Sequence, residues 1–384
     1  MWHIIRVAYF ESSKTSILLG PIKDSVEVLQ SSFDVPVFVT GHWKFGPHID
    51  ICIKCETSVF EEKIFPTCEP IISAWLMENP SKTKLVEKDY EKLSMQLALS
   101  ELESPPYSPL LQNNKVTVGS YELSKLINIE EFNTSKESFL SDSTPMMFEL
   151  LSLSESDRSV FFISLVFMMA VVAEKFEKYG IKRGYISFRS HAEYFLENSD
   201  TTGRIRDKYN GLDQAYAALI DENIEMVSQG QVNDLDISES VKSILLSWVG
   251  VIDKTYEKNS VIAKKNLHLI VGDEGQPTST EQNMLDLATS ISDNVADQVA
   301  LPSSDFNAGK VVKSALNHQE GRDLMNSPEF IAYRITVNYF YLLLPTLDVT
   351  PMQKFSLCHI FANSVERVFG TNWKDIIPSV EDDV

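Results

Sequence analysis

The chain has 384 residues, 34 Lys and Arg against 54 Asp and Glu, a formal net charge of −20 at pH 7 and 43% hydrophobic residues. That is an ordinary globular composition, with length for one large domain or two smaller ones. The acidic balance disfavours a phosphate-neutralising surface and docking on anionic lipid, so neither nucleic acid nor membrane is expected as a partner. Four cysteines, Cys52, Cys55, Cys68 and Cys358, make no disulfide framework and suit a reducing cytoplasm. No basic segment followed by an apolar stretch opens the chain. The longest apolar run, 160–173, is shorter than the roughly 20 residues of a membrane helix and reads as a buried helix.

In chain order, 3–10, 35–39 and 49–53 are rich in Ile, Val, Tyr and Phe and read as strands. Between the first two, 17–29 carries Leu18, Leu19, Ile22, Val26, Val28 and Leu29 at helical spacing. A turn at Phe45-Gly46-Pro47 joins the later two strands. Helices are predicted over 65–77, ended by Asn79-Pro80, and over 84–102. Residues 104–109 hold three prolines and must be extended, because a residue before proline is kept out of the α region. They mark the expected boundary between a lobe at 1–103 and a lobe at 104–384. Residues 116–118 suggest a short strand. Helical patterns follow at 136–140, 145–153, 158–179, 213–227, 238–257, 281–299, 327–344 and 351–369, with a short strand at 185–188 and loops at 272–277 and 302–309. The predicted class is α+β: a small antiparallel-sheet N-terminal lobe packed on a larger mainly helical lobe.

No nucleotide-binding glycine motif, His-Glu-x-x-His or four-ligand Cys/His set is present, so neither a cofactor nor a metal is expected. Cys52 and Cys55 are spaced as C-x-x-C, but inside a strand positions three apart point to opposite faces. His3, His42 and His268 have no distinctive company, and His359 lies on an apolar helix face where a satisfied core histidine is expected. His48, His191 and His318 remain as proton-transfer candidates, since imidazole titrates near neutral pH.

The stretch Phe45-Gly46-Pro47-His48-Ile49-Asp50-Ile51 resembles the Gly-Pro-His-Ile element in the C-terminal domain of lantibiotic dehydratases. The stand-alone form of that domain is the thiopeptide-type bacteriocin biosynthesis protein. Trp2 opens the first strand as the family does. Glu137-x-Phe139-x-x-Asp142-Ser143 resembles its acid–Phe–Asp-Ser element, and Gly184 to Glu193 its Ser-His-Ala stretch. Asn317-His318 to Arg322 resembles its late His-x-x-x-Arg element, and Phe330-x-x-Tyr333-Arg334-x-x-x-Asn338 through Leu357-Cys358-His359 its C-terminal helices. The elements keep the family's order from Trp2 to Phe369.

The resemblance implies modification of a ribosomally made peptide, by one of three activities. One eliminates glutamate from glutamylated Ser or Thr. One joins two dehydroalanines in a formal [4+2] aza-cycloaddition that forms the central six-membered nitrogen ring of thiopeptides. The third appends amino acids from aminoacyl-tRNA and needs a large additional domain, for which 384 residues leave no room. Eliminating members carry His-Ile-Arg-x-Arg, whose arginines would hold the glutamate carboxylate in bidentate fashion. Here the strand reads His48-Ile49-Asp50-Ile51-Cys52, and Leu110 to Asn114 replaces the family's Glu…Arg-Tyr-Gly-Gly element. Cycloaddition is therefore the favoured expectation. The alternatives are a glutamate-elimination subunit, or a non-catalytic adaptor that grips a leader peptide by strand addition.

Cycloaddition requires an amide to tautomerise to an iminol, giving a 2-azadiene that faces the second dehydroalanine. Water is then lost and the leader leaves as an amide. Alignment supplies much of the acceleration, and the proton transfers call for Tyr, His or Ser. His191, His318, Tyr333 and Tyr339 are expected to be catalytic, with Arg189, Ser187, Arg322, Arg334 and His48 binding the peptide. If 185–191 is extended, Tyr185, Ser187, Arg189 and His191 share one face. Tyr333 and Tyr339 equally suit helix packing, and Arg322 and Arg334 suit helix C-termini. The partner expected is a precursor peptide of leader and dehydroalanine-containing core; other enzymes of its pathway and a homodimer are left open.

Overall fold

Alternation along the first strand decides the sheet. The computed structural model describes residues 1–101, 105–121, 129–271 and 319–376. Strands β1 (Trp2–Ala8), β2 (Val37–His42), β3 (His48–Lys54) and β4 (Lys115–Gly119) form one antiparallel sheet in the order β2-β3-β1-β4. The register sets Ile5 opposite Ile51, Val7 opposite Ile49 and Val39 opposite Ile51, so these side chains form a buried apolar layer on one face. Each such aliphatic side chain contributes about 1.5–3 kcal/mol on burial. A helical segment over 15–33 supplies Ile17, Leu18, Ile22, Val26 and Leu29 to the same core. Helix α1 (Phe65–Glu78) adds Cys68, Ile72 and Leu76. His3, on this face, stacks on Phe60 at 4.6 Å, which accounts for it as a packing residue.

Helix α2 (Glu87–Glu101) packs Met95 and Ala98 with Tyr107 from the proline-rich stretch. Helix α3 (Glu130–Ser156) runs as one element through Pro145, where the pattern suggested two. Met146, Met147, Leu150 and Leu151 are buried beyond the proline, so packing outweighs the lost backbone hydrogen bond. Two compact units emerge. The first is built from the described residues of 1–151 and 268–305 with Pro345–Asp348, the second from Ser152–Leu267 and the described residues of 306–344 and 349–384. The described residues of 105–151, on the far side of the 103/104 boundary, cluster with the sheet because the chain returns after the prolines to pair β4 with β1.

The second unit is helical: α4 (Arg158–Glu174), α5 (Ile181–Ser199), α6 (Arg204–Ser228), α7 (Glu239–Val271), α8 (Gln319–Met325), α9 (Pro328–Leu343), α10 (Pro351–Phe369) and α11 (Trp373–Ile376). The apolar run forms α4, which is buried from Phe161 to Ala173 apart from Phe162 and touches α5, α6 and α10. Its N-terminus is capped by Asp157, which accepts from the Ser159 and Val160 N–H groups. Helix α10 opens on a Thr350/Gln353 capping box and stops at Gly370 in the left-handed region.

The strand expected at 185–188 is instead part of α5. Ile181, Tyr185, Phe188, Ala192 and Leu196 recur every three to four residues and all are buried. A four-residue alternation is too short to outweigh that longer period. Gly184 explains the start of this helix: a Cβ there would run into the Ala173 carbonyl of α4, so only glycine permits the close approach. No helix among the described residues is long and apolar enough to cross a membrane. The helix expected at 281–299 and the loops at 272–277 and 302–309 lie outside the described residues.

Candidate active site

The Gly-Pro-His element is a turn that aims an imidazole. Gly46 has φ +102°, and a Cβ on it would lie 2.8 Å from the Phe10 ring, so the position requires glycine. The Gly46 carbonyl accepts from His48 Nδ1 at 2.8 Å. Because a carbonyl only accepts, Nδ1 carries the proton and Nε2 presents a lone pair. Burial pushes the His48 pKa down to about 4, against a smaller opposing pull from Asp50. The ring is therefore neutral at physiological pH, a proton acceptor on the second face of the sheet.

Period two places His48, Asp50 and Cys52 on that face, next to Ile4, Arg6 and Ala8 of β1. Asp50 is held in bidentate contact by Arg6, with Nε to Oδ1 at 2.8 Å and Nη2 to Oδ2 at 2.7 Å. His48 Nε2 lies 3.8 Å from Asp50 Oδ2, and the His42 ring stacks on His48 at 5.6 Å. Asp50 is thus not the lone negative charge that the strand sequence suggests. Sequence reasoning missed Arg6; the signal was the β1–β3 pairing, which sets Arg6 opposite Asp50.

The acid–Phe–Asp-Ser element joins the same face. Glu137 of α3 is buried and accepts from the Tyr121 hydroxyl at 2.9 Å, while Tyr121, Trp2 and Phe38 pack ring against ring. Burial, then the Glu137 charge, push the Tyr121 phenol well up. Asp50 and Glu137 both bear on the Cys52 thiol, whose pKa burial raises above the ordinary range. Two motifs about ninety positions apart in sequence (His48 and Glu137) thus converge on one polar sheet face.

In the second unit His191 is half-buried on α5, with its ring 5.0 Å from Tyr341 of α9. Lys354 Nζ sits 5.2 Å from the Tyr341 ring, and the Tyr341 hydroxyl is 3.6 Å from Cys358 Sγ. Burial pushes His191 down to about 3, with Arg334 and Lys354 adding repulsion. Tyr341, which sequence reasoning passed over for Tyr339, is the tyrosine that meets His191.

Arg189 does not share a face with His191. It is buried, with Nη2 on Asn363 Oδ1 at 2.6 Å and Glu366 Oε2 at 3.1 Å, and it reaches Glu193. Glu193 also pairs with Arg206, and Asn363 donates to Asp213, which Arg367 grips. This network ties α5, α6 and α10 together. Ser187 is buried and its carbonyl accepts the Ser190 hydroxyl; the buried Tyr333 hydroxyl donates to the Gly184 carbonyl at 2.6 Å. Tyr339 is buried, Arg334 lies over Phe330, and Arg322 donates to Gln319 on α8. His318 lies outside the described residues. His359 is buried and its Nε2 bonds Asn210 at 2.8 Å, which places it in the core as expected.

Among the described residues no group of three or more His, Cys, Asp or Glu is placed to hold a metal. Cys52, Cys68 and Cys358 are buried, and burial raises Cys68 and Cys358 to about 11; Cys55 is half-buried. Native labelling with a disulfide reagent at mildly alkaline pH should therefore modify Cys55 first and the other three only on unfolding. Fast labelling of Cys52 would contradict its buried placement on the polar sheet face.

No family model matches the sequence, and no curated protein sequence is significantly similar to it. Solved structures are. The pyridine synthase TbtD from thiomuracin biosynthesis matches over 96% of this chain and 99% of its own, at 20% identity and a TM-score of 0.68. The chain has the fold of a pyridine synthase. TsrL matches over 99% of this chain and 98% of its own, at 15% identity and a TM-score of 0.60. The fold therefore agrees with the α+β class and with the resemblance carried by the motifs.

Proposed function

We propose that the chain joins two dehydroalanines of a ribosomally made precursor peptide by formal [4+2] aza-cycloaddition. The observation that carries this is the end-to-end match to a pyridine synthase fold. On this reading the polar sheet face handles the amide that must tautomerise. His48 Nε2 takes the amide N–H proton and returns it to the carbonyl oxygen to give the iminol, on a polar face held in place by the Arg6–Asp50 pair. His191 with Tyr341 forms a second proton-transfer pair, suited to the later loss of water. Two new ring bonds form between the dehydroalanines; water and the leader carboxamide leave, and the six-membered ring becomes aromatic.

Glutamate elimination is disfavoured by the same face. The positions that hold arginine in eliminating members hold Asp50 and Cys52, and the bidentate edge of Arg6 is taken by Asp50. Incubating the protein with a leader-bearing bis-dehydroalanine peptide should release leader carboxamide and a core lighter by the leader amide and water, read by mass spectrometry. A glutamylated serine peptide should keep its glutamate, and the pair Asp50→Arg with Cys52→Arg should not change that. Glutamate loss from the wild type, without ring formation, would replace cycloaddition by elimination.

A further inference from the structure

Residues 178–183 read Lys-Tyr-Gly-Ile-Lys-Arg, three cations within six positions of a chain whose net charge is −20. The fold gathers them. Lys178, Lys182 and Arg183 line a cleft of about 540 Å³ at the start of α5, with Tyr179, Glu174 and Thr371 completing its walls. Gly180, at φ +54°, turns the chain there.

The one carboxylate among the described residues of the cleft wall is already engaged. Glu174 Oε2 accepts the Ile181 N–H at 2.9 Å and crowds Gly180, so it caps α5. None of the three cations forms an ion pair with a carboxylate among the described residues. Arg183 lies 4.2 Å and Lys178 5.1 Å from the centre of the exposed Tyr179 ring, so the two charges are held over one aromatic surface. Glu320 of α8 acts on Tyr179 at a distance.

We propose that this cleft docks a short acidic stretch of the precursor peptide, away from the residues that react. The inference rests on the chain's being a peptide-modifying enzyme. Three cations without ion-pair partners among the described residues match a run of two or three carboxylates, and the strongly acidic remainder of the chain repels a long polyanion, so the local charge favours a short segment over nucleic acid. An acidic segment held here would raise the effective concentration of the reacting core.

The test measures binding alone, on the full chain, by fluorescence anisotropy of a labelled Glu/Asp-rich peptide without dehydroalanine. Binding should weaken as salt rises, and Lys178→Glu with Lys182→Glu and Arg183→Glu should weaken it at least about tenfold. The Gln-for-cation set at the same three positions should give a smaller loss in the same direction, which keeps the test valid if charge reversal disturbs folding. Equal affinity in wild type and both variants would overturn the proposal. So would equal affinity for a peptide with Gln and Asn in place of Glu and Asp. Stronger competition by inorganic phosphate than by the acidic peptide would reassign the cleft to phosphate. Binding that appears only after removal of Glu381–Val384 would reassign it to the chain's own acidic end. None of these outcomes depends on turnover, so failure to form the ring leaves the docking result standing, and the reverse holds too.

Discussion

His48→Gln is expected to lower turnover of a bis-dehydroalanine peptide by about 10²-fold or more, the usual scale for a lost acid–base group. Glutamine can still donate a hydrogen bond toward the Gly46 carbonyl, so the turn should keep its geometry and the melting transition should move little. What it cannot do is accept a proton at neutral pH, which His48 Nε2 can because Nδ1 is committed to Gly46. With its pKa pushed down to about 4, the imidazole stays in the basic form well below neutrality. Activity should therefore hold from pH 7 toward pH 5 and fall as the ring protonates near pH 4. His191→Gln in the same assay separates the two units. Full activity in His48→Gln with loss in His191→Gln would move the proton transfer to the His191–Tyr341 pair.

Much of this arrangement is legible in the sequence. Helix α10 coincides with the predicted 351–369, because proline at its start and glycine after its end are strong local signals. Three of the four strands declared themselves by β-branched composition, and the fourth, β4, by only Val116-Thr117-Val118. What local pattern could not supply was pairing. Asp50 reads as an uncompensated charge until β1 is set antiparallel to β3, after which Arg6 faces it and the bidentate contact follows. The Ser-His-Ala stretch failed in the opposite way. Its polar residues alternate over a few positions, and that masked the helical recurrence of Tyr185, Phe188 and Ala192. Once the segment is helical, Arg189 turns inward to Glu366 and Asn363 while His191 turns to Tyr341. The stretch thus combines a packing requirement at Gly184, a structural cation at Arg189 and one accessible imidazole.

Acid should destabilise the native protein well before its carboxylates titrate. His48 and His359 are buried, and burial pushes both pKa values from 6.5 down to about 4. In the unfolded chain each ring takes up a proton near pH 6.5, while in the native state that uptake waits until about pH 4. Between those values the unfolded state binds more protons, so stability is fully kept above pH 6.5 and falls as pH falls. Each histidine can cost about 3 kcal/mol over the whole window, a large fraction of a typical folding free energy. His191 runs the same way with less weight, because its ring is half-buried and water reaches part of it. Glu366, whose pKa burial raises, opposes them as a single group. Denaturant midpoints measured from pH 7 to pH 5 should therefore decline steadily, in a range where ordinary carboxylates remain ionised. His48→Gln and His359→Gln should each flatten the decline, and the double variant should flatten it further. A midpoint independent of pH over that range would mean that the two rings protonate as easily inside the protein as in water, and His48 would then lose its standing as a neutral base.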